Sequence, residues 1–285
     1  MRLLLARGLI VLLSWLPLGA VRALAGLCGH LLARVPGRRR ERILAHLSIA
    51  FPELDQTARR RLMVQSLVHL CATGLECALL WRRSRAWVEA RIVAVHGQAL
   101  FDEAAASGRG LLLVGGHLGQ WELAILFGSL RLPTGFLYKA PRSAAADRLL
   151  SRYRARFGAE LIPTGGAALR RALRGLKAGG AIGLLFDQLP RGGRYVNAPF
   201  FGRPVATMTL PQRLAQQSGC VVLMGHCLRV PGGWEVVFRP VEVQDLNDAE
   251  AFATALNAAL EAQVRCAPAQ YLWHYPRFNP PDPDA

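Results

Sequence analysis

The sequence predicts an α/β fold, a mixed and largely parallel sheet flanked by helices and preceded by an apolar N-terminal helix. Three observations carry that prediction. Short apolar runs of four to six residues alternate with helical patterns of about ten residues from Arg91 onward, which is the pattern of crossover connections between parallel strands. Two later strands flank the turn Pro231-Gly232-Gly233 and form a hairpin, which makes the sheet mixed. Residues 1–35 are almost entirely apolar.

The N-terminal stretch MRLLLARGLIVLLSWLPLGAVRALAGLCGHLLARV is interrupted only by Arg2, Arg7, Arg22, His30 and Arg34. Its longest uncharged run, Gly8 to Val21, is shorter than the roughly 20 residues a membrane span needs. If Arg22 snorkels, Gly8 to Ala33 crosses the bilayer with a break near Pro17; otherwise the segment lies in the interface. A cleaved signal peptide is the rival reading. The arginine-rich body and the cluster Arg38, Arg39, Arg40 and Arg42 favour an anchor with the body on the cytoplasmic side. The expected organisation is an anchor over 1–35 and one domain over 36–285, with a helical lead-in over 36–90 and the α/β core over 91–285.

From Arg40 to Trp81 the pattern is helical, with Ile43, Leu47 and Phe51 at four-residue spacing, a break at Pro52 and a long run from Ala58 to Leu80. RIVAVHG reads as a strand, GQALFDEAAASG as a helix closed by Gly108, and LLLVGG as a buried strand. Then follow a helix Gln120 to Leu130, a strand Gly135 to Lys139, a helix Ala144 to Phe157 and a strand Glu160 to Ile162. A helix Gly166 to Leu176 and a strand Ala181 to Phe186 complete the alternation. The C-terminal part adds a helix Thr209 to Gln217, strands Cys220 to Arg229 and Trp234 to Val241, and a helix Ala249 to Cys266.

Composition narrows the function. Lys and Arg outnumber Asp and Glu 35 to 19, a net charge of +16 that suits anionic lipid surfaces or acidic partners. Zinc-finger spacings, RNA-binding aromatic signatures and a compact basic recognition helix are lacking, so nucleic acid is not expected. The six cysteines form no C-x-x-C pair and read as core residues of a reducing compartment. A zinc site from Cys220, His226 and Cys227 is the weaker alternative.

The stretch GGHLGQWE, residues 115–122, follows a buried strand, where reactive groups of α/β sheets gather. His117 falls in the loop and Glu122 in the first helical turn beyond, and the glycines permit the chain to reverse. A carboxylate on one ring nitrogen fixes the tautomer and leaves the other to accept a proton from a hydroxyl. The stretch holds no serine or cysteine nucleophile, which favours direct attack by a substrate hydroxyl. On these residues alone a catalytic histidine, a structural histidine and a metal ligand all stay open.

The His-x4-Glu after an apolar strand resembles the signature of the lipid A late acyltransferases, the lauroyl and myristoyl transferases within the glycerolipid acyltransferase superfamily. RERILAHLSIAFPEL, GRGLLLVGGHLGQWE, FLYKAPR with RLLSRYRARFG, LLFDQ, APFFGRPVATMTLPQRLAQQSGCVV and PAQYLWHYPRFNPP follow the family's order from about Arg38 to Pro280. The resemblance implies a glycerolipid acyltransferase-like fold. It also implies transfer of a fatty acyl chain from an acyl carrier protein or coenzyme A thioester to a lipid A precursor hydroxyl, without metal or bound cofactor, at the bacterial inner membrane with the site facing the cytoplasm. Another lipid, glycolipid or natural-product acceptor, or a non-catalytic basic membrane protein, are the alternatives.

By the same resemblance His117 is the base and Glu122 its orienting carboxylate. Backbone amides near Gly115 and Gly116, with Lys139 or Arg142, steady the oxyanion. Asp187 and Gln188 organise the pocket or acceptor. Lys139 stands where many members have arginine, and Leu210 where a glycine is common, which bears on the start of the following helix. Trp273, Arg277 and Phe278 match a terminal Trp-x3-Arg-Phe and read as core packing.

Overall fold

The computed structural model describes residues 2–190, 193–243 and 245–279. Pro280 and Pro281, which end the family-like FNPP run, lie outside these residues. Helices α1 (Arg2–Trp15) and α2 (Leu18–Arg34) break at Pro17, and α3 (Arg38–Ala50) and α4 (Gln56–Arg82) form the lead-in. Asp55 caps α4, accepting from the Ala58 amide at 2.7 Å, so the long helix begins where Pro52 ends the previous one. The short helix α5 (Arg85–Glu89) leads into β1 (Ile92–His96), α6 (Gln98–Ala106) and β2 (Leu111–Gly115).

The chain then runs α7 (Trp121–Ser129), β3 (Thr134–Tyr138), α8 (Ala144–Arg154), β4 (Glu160–Pro163), α9 (Ala168–Lys177) and β5 (Ala181–Leu185). A hairpin of β6 (Tyr195–Phe200) and β7 (Arg203–Met208) follows, then α10 (Leu210–Ser218), β8 (Val221–Val230), β9 (Gly233–Pro240) and α11 (Ala249–Cys266). The alternation expected from the sequence is therefore present. Leu210 opens α10 beside Pro211 without a positive φ, so no glycine is needed there.

Seven strands form one sheet in the order β1-β9-β8-β2-β5-β3-β4. The five from β8 to β4 are mutually parallel, while β9 runs antiparallel to β8 and carries β1 parallel to itself. Strand β2 is buried at all five positions, which explains its unbroken apolar run. Val114, Ile182, Phe252 and Leu260 belong to the core on one face, and Leu113, Phe127, Leu79 and Val21 to the core on the other.

One feature departs from the sequence reading, and another bears on a choice that it left open. The β6–β7 hairpin forms a separate two-stranded sheet, closed by Phe201 at φ 48° and Gly202 at φ 71°. Arg22 does not snorkel. Its Nε donates to Glu76 Oε1 at 2.8 Å, and its guanidinium bonds the carbonyls of Val230 and Gly233 at 2.6 and 2.7 Å. The charge is neutralised inside the protein by a fully buried carboxylate rather than carried to a membrane surface.

Candidate active site

The loops after β2 and β5 lie side by side because the two strands are parallel neighbours, with Gly115 opposite Leu185. The Phe186 amide donates to the Gly115 carbonyl at 3.0 Å and extends the ladder by one residue. Two residues beyond each strand end, His117 and Asp187 therefore meet. His117 Nδ1 sits 2.7 Å from Asp187 Oδ1, and the His117 amide donates to Asp187 Oδ2 at 2.8 Å. One carboxylate thus holds both the ring and the backbone of the histidine.

Asp187 is 3% exposed, so it has no water to replace these bonds if they are lost. Burial alone would raise its pKa, but the facing imidazole and the two hydrogen bonds from His117, with Arg277 further off, hold it below the usual carboxylate range. Gln188 Nε2 lies 3.1 Å from His117 Nε2, and the Trp121 ring meets the imidazole edge-on at 5.0 Å between centroids. An Nδ1–H tautomer satisfies all of these contacts: Nδ1 donates to Asp187 and Nε2 accepts from the Gln188 amide.

Glu122 does not reach His117. It starts α7, and its carboxylate pairs with Arg154 at the end of α8, through Arg154 Nη2 to Oε1 and Arg154 Nε to Oε2 at 2.9 Å. Trp81 Nε1 adds a longer bond of 3.4 Å to the same Oε2. The orienting place expected for Glu122 is taken by Asp187. The reason is directional: the helix carries Glu122 toward α4 and α8 while the loop turns His117 toward β5.

The glycines serve this turn. A Cβ on Gly116 would fall 2.7 Å from the Leu260 side chain and 3.2 Å from Asp187 Oδ2, so a larger residue would have to displace Leu260 and crowd Asp187. Gly119 adopts φ +66° and packs against the Cys227 carbonyl. Gly115, in the last position of β2, faces the Gly225 carbonyl. The amides after Gly116 already have partners: Leu118 donates to Gly116, Gly119 to Gln270 and Gln120 to Cys227, at 2.7, 3.0 and 2.7 Å.

A cavity of about 270 Å³ opens beside His117 and runs between α7 and the sheet. Leu113, Ile125, Phe127, Phe136, Leu185 and Phe238 supply its apolar lining. His117, Gln188, Lys139, Arg154, Tyr138 and His226 are among its polar lining residues. Burial within the cavity's reach drives the Cys227 thiol up to about 12, so it is no nucleophile. Of the predicted cations, Lys139 lines the cavity, whereas Arg142 is exposed in the next loop and is not among its lining residues.

Sequence reasoning missed Arg154, the partner of Glu122, and the position of Asp187 on the ring. The zinc alternative also fails: no group of three or more His, Cys, Asp or Glu side chains converges among the described residues. His226 is instead buried with neither ring nitrogen hydrogen-bonded.

Comparison with known proteins gives the family of the chain. The family model described as bacterial lipid A biosynthesis acyltransferase matches residues 3–279. The chain belongs to that family. The acyltransferase is 28% identical over 282 residues to the lipid A biosynthesis lauroyltransferase of Escherichia coli, covering 95% of this chain and 89% of the relative. It is 28% identical over 251 residues to the lipid A biosynthesis palmitoleoyltransferase of the same organism, covering 85% and 79%. A phosphatidylinositol mannoside acyltransferase of Mycobacterium tuberculosis matches at 28% over 190 residues, covering 63% of this acyltransferase and 57% of the relative. An acyltransferase needs an acyl donor and a lipid acceptor, and an apolar cavity ending at a histidine suits both.

Proposed function

We propose that this acyltransferase moves a fatty acyl chain from an acyl carrier protein or coenzyme A thioester to a hydroxyl of a lipid A precursor, with His117 as general base and no covalent intermediate. The observation that carries the proposal is the Asp187–His117–Gln188 line at the mouth of an apolar cavity. Asp187 keeps the proton on Nδ1, so Nε2 is the basic atom. The acceptor hydroxyl takes the place of the Gln188 amide at Nε2 and attacks the thioester carbonyl. Its proton passes to Nε2, the C–S bond of the tetrahedral intermediate breaks, and the same proton neutralises the departing thiolate.

The amides of residues 117–120 are already partnered and do not supply a donor to the oxyanion. Lys139 and Arg154 at the cavity are the cations available for it or for a lipid phosphate. Glu122 then acts through Arg154, whose guanidinium it grips with two hydrogen bonds, and Arg142 serves the approach of an anionic substrate from outside the cavity. The acyl chain occupies the apolar part. The enzyme works on the cytoplasmic side of the inner membrane, where its positive charge meets the acidic donor and the phosphorylated acceptor.

Glycolipid acylation is the second reading, favoured by the match to the phosphatidylinositol mannoside acyltransferase. Purified enzyme offered each acceptor with an acyl thioester distinguishes the two. Transfer to the lipid A precursor supports the first, transfer to the mannoside alone supports the second, and full activity of His117→Ala on either acceptor rules out the mechanism.

A further inference from the structure

The mode of membrane contact follows from how the first two helices sit, and it rests on the membrane reading above. Helix α1 has 14 residues, about 21 Å of helix, against about 30 Å of hydrocarbon to be crossed. Its end is tied to the catalytic domain: Arg82 Nε donates to Ser14 Oγ, and Arg83 Nη2 to the Trp15 and Leu16 carbonyls, all between 3.2 and 3.3 Å. It nonetheless exposes Leu4, Leu5, Leu9, Leu12 and Trp15, with Trp15 at 74%.

Helix α2 cannot extend the span. One face, Leu18, Val21, Ala25, Gly29 and Ala33, is buried. Gly29 lies so close to α4 that an added Cβ would fall 2.5 Å from the Val68 Cα. Arg22 fastens the helix to Glu76 and to the β8–β9 hairpin. Yet the other face is largely apolar, with Ala20, Ala23, Leu27 and Leu31 exposed at helical spacing and the exposed His30 the polar side chain among them. A soluble helix places charge there; this one carries its exposed cations only toward its end, at Arg34, with Arg38 and Arg39 just beyond. Helix α4 is long and apolar enough to span, but Leu67, Glu76, Leu79 and Leu80 are core residues of the domain.

We propose that α1 and the outer face of α2 lie in the plane of one leaflet of an anionic phospholipid bilayer, so that the enzyme is monotopic and its N-terminus stays on the side of the active site. The leucines and Trp15 enter the acyl region, and Arg7, Arg34, Arg38 and Arg39 meet the headgroups.

The test fuses a peptide tag with a protease site before Met1 of the full chain and adds protease to sealed inner-membrane vesicles and to spheroplasts. Cleavage only in inside-out vesicles is the expected result, while cleavage only in spheroplasts shows a span and overturns the proposal. Enzyme recovered wholly soluble, with acyl transfer intact, overturns both this proposal and the membrane reading but leaves the chemistry standing. In a second arm, Leu27→Glu with Leu31→Glu lowers binding to phosphatidylglycerol vesicles about tenfold. The kcat for transfer in detergent stays unchanged; unaltered vesicle binding counts against insertion of this face.

Discussion

At the residue scale, the chemistry depends on which carboxylate serves His117. Because Asp187 holds Nδ1 and the His117 amide together, Asp187→Asn should lower kcat about 10²–10⁴-fold, since an amide no longer enforces the reactive tautomer. Glu122→Gln leaves the ring in place and loosens Arg154, so its effect belongs to binding and oxyanion support, a rise in KM or a smaller loss of kcat. Steady-state kinetics of the two variants side by side checks this, and equal losses in kcat would contradict the separation of roles. His117 and Glu122 were legible in the sequence as chemistry-bearing residues; their partners were not. A carboxylate five residues away is conspicuous in a string, whereas Asp187, named by resemblance as a pocket residue, shows itself as the partner of His117 only when LLLVG and AIGLL are set in register as neighbouring strands.

His226 belongs to the same scale. Burial, with Arg239 adding repulsion, pushes its pKa down to about 4, and neither ring nitrogen is bonded. A histidine lowered in the folded state is protonated first in the unfolded chain. Its contribution is therefore neutral above about pH 6.5 and increasingly destabilising as pH falls from there toward 4, by on the order of 3 kcal/mol. His226→Phe should raise the melting temperature and flatten its decline between pH 6.5 and 4; a decline as steep as in the parent would contradict this.

At the scale of elements, the turn that carries His117 is braced from α4. Glu76, fully buried, accepts from Arg22, Arg229 and Gln120 at 2.8, 2.8 and 2.9 Å, and Gln120 also reaches the Thr73 carbonyl at 3.2 Å. Gln120→Met removes the brace from the turn while sparing both arginine pairs. It should cut kcat about 10–100-fold with KM nearly unchanged, because small displacements of a base are costly. Thermal denaturation should shift little, and an unchanged kcat would show that the backbone bonds of the turn suffice.

The strands and helices of the α/β core follow their apolar periodicity and were readable in order. The β6–β7 hairpin was not, because Pro199 and Pro204 face each other across it and its turn uses Phe201 rather than asparagine at positive φ. Tertiary bonds stabilise that unusual turn: the Phe201 amide donates to Glu261 Oε2 at 2.6 Å, and Arg277 Nη1 to the Ala206 carbonyl at 2.7 Å. Arg277 in the terminal Trp-x3-Arg-Phe is thus a structural cation behind the site. The surroundings of Arg22 were equally hidden, since its partner Glu76 is 54 residues away in sequence.

At the scale of the whole molecule, the fold places an apolar cavity, a histidine and two cations on one side of the sheet, in a chain that belongs to a family of lipid A acyltransferases. On the proposed reading, the net charge of +16 would gather acidic donor, phosphorylated acceptor and membrane in one field. Raising ionic strength from about 0.05 to 0.5 M shortens that field severalfold. It should raise KM for an acyl carrier protein donor more than for a short acyl thioester, as donor titrations at the two salt concentrations would show.

The central claim, that His117 drives acylation of a lipid A precursor, meets its most direct test in the mass of lipid A from cells lacking the gene and complemented with either form. Wild-type enzyme should restore the mass of one fatty acyl chain and His117→Ala, expressed at the same level, should not. Restoration by His117→Ala, or lipid A left unchanged by the wild type, would contradict the account.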